Sequence, residues 1–345
     1  MEITTISKKR IDYIDLMKGI CIILVVLLHC GIQIPDKQLD LMLRNVRMPL
    51  YFFLSGLFFK EYTSFIDFTT RKFNKLIIPY IFFAFFPFTL ASFVVSDLFP
   101  QNSFFLPIRI LYVPLNYPLW FLRGLFLTYV LYYGFYRISK SWPETIKFIT
   151  IIFISLSGWI VNNEIIQYRE NTHTLDLILS MNIMVPFIAL PYFYIASLLK
   201  KRNVLTMNIK LQYVMLGICI FAILWYFTAQ SEVDYMFSKF SDNFILLYIA
   251  SLSGIGVIWL LSYTLKKIPI ISYLGRYSII ILGTHVFFIS IFNTILNNSI
   301  LTFILTIAFM PVTIWLFKTV FPYFTAQKDI FYLKENGKLR ITWKK

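Results

Sequence analysis

Two ionisable side chains interrupt the first long apolar stretch of the chain, IDYIDLMKGICIILVVLLHCGIQI. Lys18 lies near its start and His29 lies eleven positions later, near its end. On an α-helix this spacing is about three turns, so both side chains project from one face, about 16 Å apart along the axis. A lysine can bind phosphate as a point charge. An imidazole can act as a general base or a transient nucleophile because its pKa lies near neutrality.

Each of these residues also has a simpler explanation. Lys18 could extend its amine to the lipid headgroups, and His29 could be a packing histidine bonded to a neighbouring helix. Ionisable residues at membrane depth more often line a polar path, which favours a functional role for His29.

The elements that must position these side chains are membrane-spanning helices. The chain has 345 residues, of which 58% are hydrophobic and only 14% charged, and its mean hydropathy is +0.71. A soluble domain carries a larger charged fraction, and the apolar runs have the length of about 20 residues that a spanning helix needs. We predict an all-α, polytopic integral membrane protein with one domain, 1–325, and a short basic cytoplasmic tail, 326–345. About ten transmembrane helices are predicted, near residues 15–34, 47–60, 76–96, 117–138, 146–162, 182–199, 211–228, 243–263, 272–295 and 299–319.

Positive charge alternates between the segments that join these spans. One set holds most of the lysines and arginines, beginning with Lys8, Lys9 and Arg10, whereas the alternate set holds few, such as Arg109 and Arg169. The positive-inside rule therefore predicts that both termini are cytoplasmic. Topology and anionic lipid headgroups account for most of the net charge of +15, so nucleic acid is not a predicted partner.

Five stretches resemble, in order, motifs of the membrane acyltransferase family 3, the polytopic O-acyltransferases of surface polysaccharides. IDLMKGICIILVVLLH is similar to the family's opening, which pairs an arginine with a histidine eleven positions later; this chain has Lys18 at the arginine position. MPLYFFLSGLFF (48–59) resembles the second-span signature, and RKFNKLIIPY (71–80) resembles a basic loop that enters the third span. PLWFL (118–122) and YLGRYSIIILGTH (273–285) are similar to later motifs.

The resemblance implies an O-acyltransferase of the bacterial cytoplasmic membrane. It would move an acyl group, commonly acetyl, from a cytoplasmic acyl-CoA to a hydroxyl of a cell-surface or polyprenyl-linked glycan. His29 would be catalytic, acting as a base in direct transfer or carrying the acyl group transiently. No metal and no permanently bound cofactor are predicted, since acyl-CoA is a substrate. The donor phosphates would be bound by Lys18, Arg71, Lys72 and Lys75.

Other candidates could contact the acceptor or line the path to it. Arg44 and Arg47 could do so at the outer end of the second span, although arginines there commonly extend to the interface. Trp120 could equally be an interfacial anchor, while Arg123 needs an anionic partner or water. The remaining candidates are Tyr51, Ser55, which could simply permit close packing beside Gly56, and His285, a possible second proton-transfer group. The third histidine, His173, is expected at the surface of an outer loop.

A different class of function fits the same composition. A transporter or flippase for a polysaccharide or lipid-linked sugar is also polytopic, but such proteins often contain inverted repeats. The sequence contains no repeat of fixed period, which favours the enzyme.

Overall fold

The computed structural model describes residues 11–94, 117–172, 182–333 and 339–341, and most of these are helical. Lys8, Lys9, Arg10, Arg109, His173 and the tail lysines Lys334, Lys338, Lys344 and Lys345 lie outside the described residues. The described α-helices are α1 (Asp12–His29), α2 (Lys37–Leu57), α3 (Phe65–Lys72), α4 (Ile78–Val94), α5 (Trp120–Ile138), α6 (Glu144–Thr172), α7 (Val185–Lys201), α8 (Leu211–Thr228), α9 (Phe244–Leu265), α10 (Pro269–Arg276), α11 (Ser278–Leu296) and α12 (Ser299–Val320).

Shorter elements lie between and after these helices in the part of the chain that the structure describes. A π-helical turn, Phe73–Ile77, joins α3 to α4, and 3-10 turns occupy Tyr117–Leu119 and Val204–Thr206. Strands β1 (Phe331–Leu333) and β2 (Leu339–Ile341) pair antiparallel, with Tyr332 opposite Arg340. The predicted all-α class agrees with a mostly helical chain, to which the C-terminal segment adds this small sheet.

Each predicted span coincides with a helix, but several boundaries differ. Helix α2 begins at Lys37 rather than near 47, because the Asp36 carboxylate caps it by accepting a hydrogen bond from the Leu39 N–H at 2.6 Å. The predicted ninth span is divided at Tyr277 into α10 and α11. Helix α6 continues past the predicted residue 162 to Thr172.

Five of the described helices are long and apolar enough to cross a membrane by length and composition. They are Glu144–Tyr168 within α6, and α8, α9, α11 and α12. Helices α8 and α12 expose large apolar side chains, among them Phe227 and Trp315, which gives the molecule an apolar outer surface. Helices α4 and α7 have 17 residues each, and α1 and α2 contain several charged side chains.

Glycines allow two pairs of helices to approach until their backbones touch. A Cβ added at Gly56 of α2 would lie 2.2 Å from the Phe193 carbonyl oxygen of α7. A Cβ at Gly275 of α10 would lie 1.9 Å from the Asp15 carbonyl oxygen of α1, and one at Gly19 would lie 2.0 Å from the Ile271 carbonyl oxygen. The crossing of α1 and α10 places Lys18 and Arg276 beside the same cavity.

Candidate active site

A pair of histidines joins α1 to α11. The ring centroids of His29 and His285 are 5.1 Å apart, with an angle of 45° between the ring planes. His29 is half-buried, whereas His285 is fully buried. Two residues that are far apart in the sequence, both candidates from it, therefore lie in contact.

Backbone geometry sets the tautomer of His285. Its Nδ1 lies 2.8 Å from the Ile281 carbonyl oxygen, and a carbonyl can only accept, so Nδ1 carries the hydrogen. The Nε2 atom is buried and has no hydrogen-bond partner within the described ranges. In the neutral ring this Nε2 carries the lone pair, so it is the nitrogen that can accept a proton.

Arg47 approaches the histidine pair from α2. Its side chain is 8% exposed, and its guanidinium is a charged neighbour of His29. The carboxylates of Asp40 and Asp234 act on Arg47 as counter-charges. The Arg47 carbonyl also accepts a hydrogen bond from the Cys21 thiol at 3.0 Å, which ties α2 to α1. The guanidinium is thus a buried positive charge beside the histidines.

A separate cavity of about 410 Å³ brings four cations together; we call it the donor cavity. Its basic lining residues are Lys18, Lys72, Lys75 and Arg276. The Lys18 ammonium lies over the Phe58 ring, 4.0 Å from the centroid. Such a cluster of cations between apolar walls suits a polyanion with an apolar extension.

Lys72 packs against an aromatic ring in the wall of the donor cavity. Its ammonium lies 3.4 Å from the centroid of the Tyr129 ring, and the residue is half-buried. Burial, with the nearby positive charges of Lys60 and Lys200, lowers the pKa of Lys72 to about 7. The charge on this amine is therefore sensitive to pH and to any anion that enters the cavity.

The C-terminal segment forms one wall of the donor cavity. Ala326 and Gln327 line it, and the Lys75 ammonium donates to the Ala326 carbonyl oxygen at 2.8 Å. Asp329 forms an ion pair with Lys75 at 2.9 Å. Two residues of the segment predicted as a tail, 326–345, therefore contact the basic turn after α3.

The donor cavity extends towards the histidine pair along α11. Its lining residues Ser278 and Leu282 precede His285 by seven and three positions, so the three share one helix face. Leu282 is therefore only about 5 Å from His285 along the axis. Tyr51 also lines the cavity, and its side chain is buried. Neither histidine is itself a lining residue of the cavity.

Comparison with known proteins identifies the family. A model of the acyltransferase domain of acyltransferase family 3 matches residues 11–320. The chain belongs to this family of membrane acyltransferases. Comparison with curated proteins and with solved structures gave no significant match. Membership gives no support to the transporter alternative.

Some predicted site residues of this acyltransferase lie away from the donor cavity. Arg71 is exposed and pairs with Asp67 on its own helix at 2.5 Å. Arg44 forms the same type of pair with Asp40 at 2.6 Å. Arg123 donates to the Asn182 side-chain oxygen at 3.3 Å. Trp120 is buried at 6% exposure, so it is not an exposed anchor; it contacts Phe121, which does line the cavity.

The donor cavity is also lined by residues that the sequence did not single out as site residues. These residues are Arg276 and Ser278. The predicted residues Lys18 and Ser55 line the same cavity. Both missed residues lie in the stretch YLGRYSIIILGTH, which was noted for its resemblance alone. The available signal was Gly275 before Arg276, because a glycine at a helix end permits the close crossing that places the arginine.

Proposed function

We propose that this protein is an integral-membrane O-acyltransferase that moves an acyl group from a cytoplasmic acyl-CoA to a hydroxyl of a cell-surface or polyprenyl-linked glycan. The acyl group in the proposal is acetyl. The observation that carries it is the contact between His29 and His285 about one helical turn from a cavity with four cations. This arrangement occurs in a chain of an acyltransferase family.

The donor cavity supplies binding energy for a thioester with an anionic head. Lys18, Lys72, Lys75 and Arg276 bind phosphate oxygens by charge-assisted hydrogen bonds. The uncharged pantetheine arm of the donor then follows the face of α11 that carries Leu282, towards His285. Arg276 compensates for the lysine at position 18, because its planar guanidinium can hold a phosphate with two parallel hydrogen bonds.

His29 acts as the general base in direct transfer. Its imidazole takes the proton from the acceptor hydroxyl while the oxygen attacks the thioester carbonyl carbon. The carbon–sulfur bond breaks, and the departing thiolate receives the proton from the imidazolium, which gives the ester and free CoA. His285 shares that proton through Nε2, and Arg47 binds an anionic part of the acceptor beside the pair.

The proposal includes a topology. We place about ten spans in the bacterial cytoplasmic membrane with both termini in the cytoplasm, so that the donor cavity opens inward. Single cysteines introduced at Ser64 and at Gln230 test this orientation in intact cells. An impermeant maleimide is expected to label the cysteine at 230 and not the one at 64. Labelling of only the cysteine at 64 would reverse the orientation.

Catalysis is tested with purified protein in lipid nanodiscs. Wild type is expected to release CoA thiol from acetyl-CoA when glycan acceptor is present, and mass spectrometry is expected to show one added acetyl group on the glycan. His29→Ala is expected to lower transfer about 100-fold or more, the range for loss of a general base. His173→Ala, which removes the third histidine of the chain, is the matched control. Transfer at the wild-type rate by folded His29→Ala protein would refute the assignment of the base.

A further inference from the structure

A second basic recess lies beside the donor cavity and has no role in the proposed reaction. It has a volume of about 750 Å³ and lies among the C-terminal ends of α2, α5 and α7 and the start of α6. We call it the lysine recess, after the five lysines that line it: Lys60, Lys140, Lys147, Lys200 and Lys201.

The acidic residues of the lysine recess are already engaged. Glu144 accepts hydrogen bonds from the Lys201 ammonium at 2.8 Å and from the Tyr194 hydroxyl at 3.0 Å. Glu61 accepts a hydrogen bond from the Tyr136 hydroxyl. The two carboxylates therefore hold parts of the wall in place, and five lysines against two glutamates leave the recess positively charged. An anion is the ligand that this charge favours.

Aromatic rings stand between the lysines. Phe59 packs edge-on against Tyr132 at 4.7 Å and against Tyr136 at 5.4 Å, measured between ring centroids. All three rings line the recess. Flat rings next to ammonium groups suit a nucleobase that carries phosphate, because a base stacks on aromatic faces while the cations bind the phosphate oxygens.

The lysine recess and the donor cavity are neighbours. Lys60 and Lys200 of the recess both act electrostatically on Lys72 of the donor cavity. Tyr129 lines the donor cavity, and Tyr132, three positions later on α5, lines the recess. At about 410 Å³ the donor cavity is at the small end of the range of about 300–1,000 Å³ for drug-sized ligands. An acyl-CoA is larger than such a ligand, so it needs further space.

We propose that the lysine recess binds the adenosine 3′,5′-bisphosphate end of acyl-CoA, while the donor cavity holds the 4′-phosphate, the pantetheine arm and the thioester. This assignment rests on the proposed function, because it divides that donor between two cavities. It makes a specific distinction: the recess recognises the nucleotide and takes no part in the chemical step.

Two donors that differ only in the nucleotide test the assignment. Acetyl-CoA has the adenosine bisphosphate end, whereas S-acetyl-4′-phosphopantetheine has the same thioester, arm and 4′-phosphate without it. The double variant Lys140→Gln, Lys147→Gln is expected to raise KM for acetyl-CoA at least tenfold with kcat unchanged. The same variant is expected to keep the wild-type kcat/KM for S-acetyl-4′-phosphopantetheine. Lys267→Gln removes an exposed lysine that lines neither cavity, and it is expected to leave both donors unaffected.

Direct binding separates stacking from charge. Adenosine 3′,5′-bisphosphate is titrated into protein in nanodiscs that contain only zwitterionic lipid. Tyr136→Leu is expected to weaken its binding at least fivefold, while Tyr136→Phe, which keeps the ring, is expected to bind within twofold of wild type. Unchanged binding in both Tyr136→Leu and the double lysine variant would overturn the assignment.

Other outcomes identify what fails. If wild type transfers acetyl groups but the double variant keeps the KM of wild type for acetyl-CoA, the lysine recess is not the nucleotide site and the proposed function stands. If wild type neither binds nor uses acetyl-CoA, the proposed function itself fails. Phosphatidylglycerol that copurifies with the protein is measured as well. If it copurifies with wild type but not with the double variant, and the double variant still binds the bisphosphate, the recess is an anionic-lipid site and the assignment is overturned.

Discussion

His29 and His285 are far apart in the chain, and their side chains have different degrees of freedom. His285 is fully buried, and its Nδ1 hydrogen is held by the Ile281 carbonyl oxygen of its own helix. The ring orientation is therefore determined by α11 itself. His29 is half-buried at the last residue of α1, so part of its side chain remains accessible. One ring is thus fixed by its own helix and the other is accessible, which is consistent with the roles proposed for His285 and His29.

Lys72 should make donor binding depend on pH. Its pKa is lowered to about 7, so the amine is mostly neutral at pH 8 and charged at pH 6. An anionic donor favours the charged form, so binding raises the pKa of Lys72 and takes up a proton near pH 8. We expect acetyl-CoA affinity to increase up to about tenfold from pH 8 to pH 6, since one unit of pKa corresponds to a tenfold change. Calorimetry in buffers of different ionisation enthalpy measures the proton uptake.

Two substitutions serve as controls for Lys72. Lys72→Arg keeps a positive charge at every pH used, so it should bind the donor without proton uptake. Lys72→Met removes the charge and should bind weakly, with little dependence on pH. Proton uptake that persists in Lys72→Arg would assign the effect to another group.

Neighbouring residues show what the sequence could and could not predict at this scale. Arg71 and Lys72 have the same charge and adjacent positions, and both were expected to bind the donor. Arg71 points outward to Asp67, whereas Lys72 lies against Tyr129 in the cavity. Which of the two side chains enters the cavity depends on which face of α3 packs inward. Contacts with α5 decide that, and they cannot be read from the residue types.

At the scale of elements, the crossing of α1 and α10 forms the basic corner of the donor cavity. Gly275 lies against the Asp15 carbonyl oxygen and the Gly19 amide nitrogen, so both contacts are with backbone. Backbone atoms within a helix cannot move independently. The distance between the two helices is therefore limited by the absence of a side chain on both glycines.

Gly275→Ala should separate these helices. The added Cβ would lie 1.9 Å from the Asp15 oxygen, and such overpacking typically costs about 1–3 kcal/mol. We expect a lower midpoint of thermal unfolding in detergent and weaker acetyl-CoA binding, because Lys18 and Arg276 would no longer face one cavity.

Gly134→Ala is the matched control. It is a helical glycine on α5 whose added Cβ meets nothing within 4 Å, so the change should be neutral or stabilising by up to about 1 kcal/mol. Equal melting midpoints for the two alanine variants would contradict the proposed role of the crossing.

Helices that follow from local periodicity could be predicted, and features that depend on contact between helices could not. The apolar run of α1 predicted one helix containing both Lys18 and His29, and the structure confirms that helix. The break at Tyr277 has no proline or glycine at the break itself, and the π-helical turn that contains Lys75 has no local signature. The pairing of His29 with His285 likewise depends on α1 packing against α11.

At the scale of the whole molecule, one buried asparagine connects the donor cavity to the C-terminal segment. Asn74, 1% exposed, accepts hydrogen bonds from the N–H groups of Ile330 and Phe331, each at 2.9 Å. Its amide group donates to the Phe331 carbonyl oxygen at 2.6 Å and to the Thr70 carbonyl oxygen at 3.0 Å. The Asn74 side chain thus satisfies backbone groups at the start of β1, as a neighbouring strand would do.

Asn74→Ala should release the C-terminal segment. Three hydrogen bonds to Ile330 and Phe331 are lost, and each is worth about 0.5–1.5 kcal/mol. We expect faster amide hydrogen exchange across 326–333 and a raised KM for acetyl-CoA, because Ala326 and Gln327 leave the cavity wall. Asn293→Ala, at an exposed position on α11, is the control. Unchanged exchange across 326–333 in Asn74→Ala would show that other contacts hold the segment.

The wall formed by Ala326 and Gln327 has a consequence for biosynthesis. The ribosome makes α1 to α12 before it makes this segment, so a nascent chain can already hold His29 and His285 together while the donor cavity is open on one side. Closure requires Ile330 to return to Asn74, a contact 256 residues apart in sequence. Ile330 follows α12 in the chain, so this contact can form only after the twelve described α-helices have been synthesised. Full donor affinity should therefore be acquired as one of the last steps of synthesis, after the helices have been inserted.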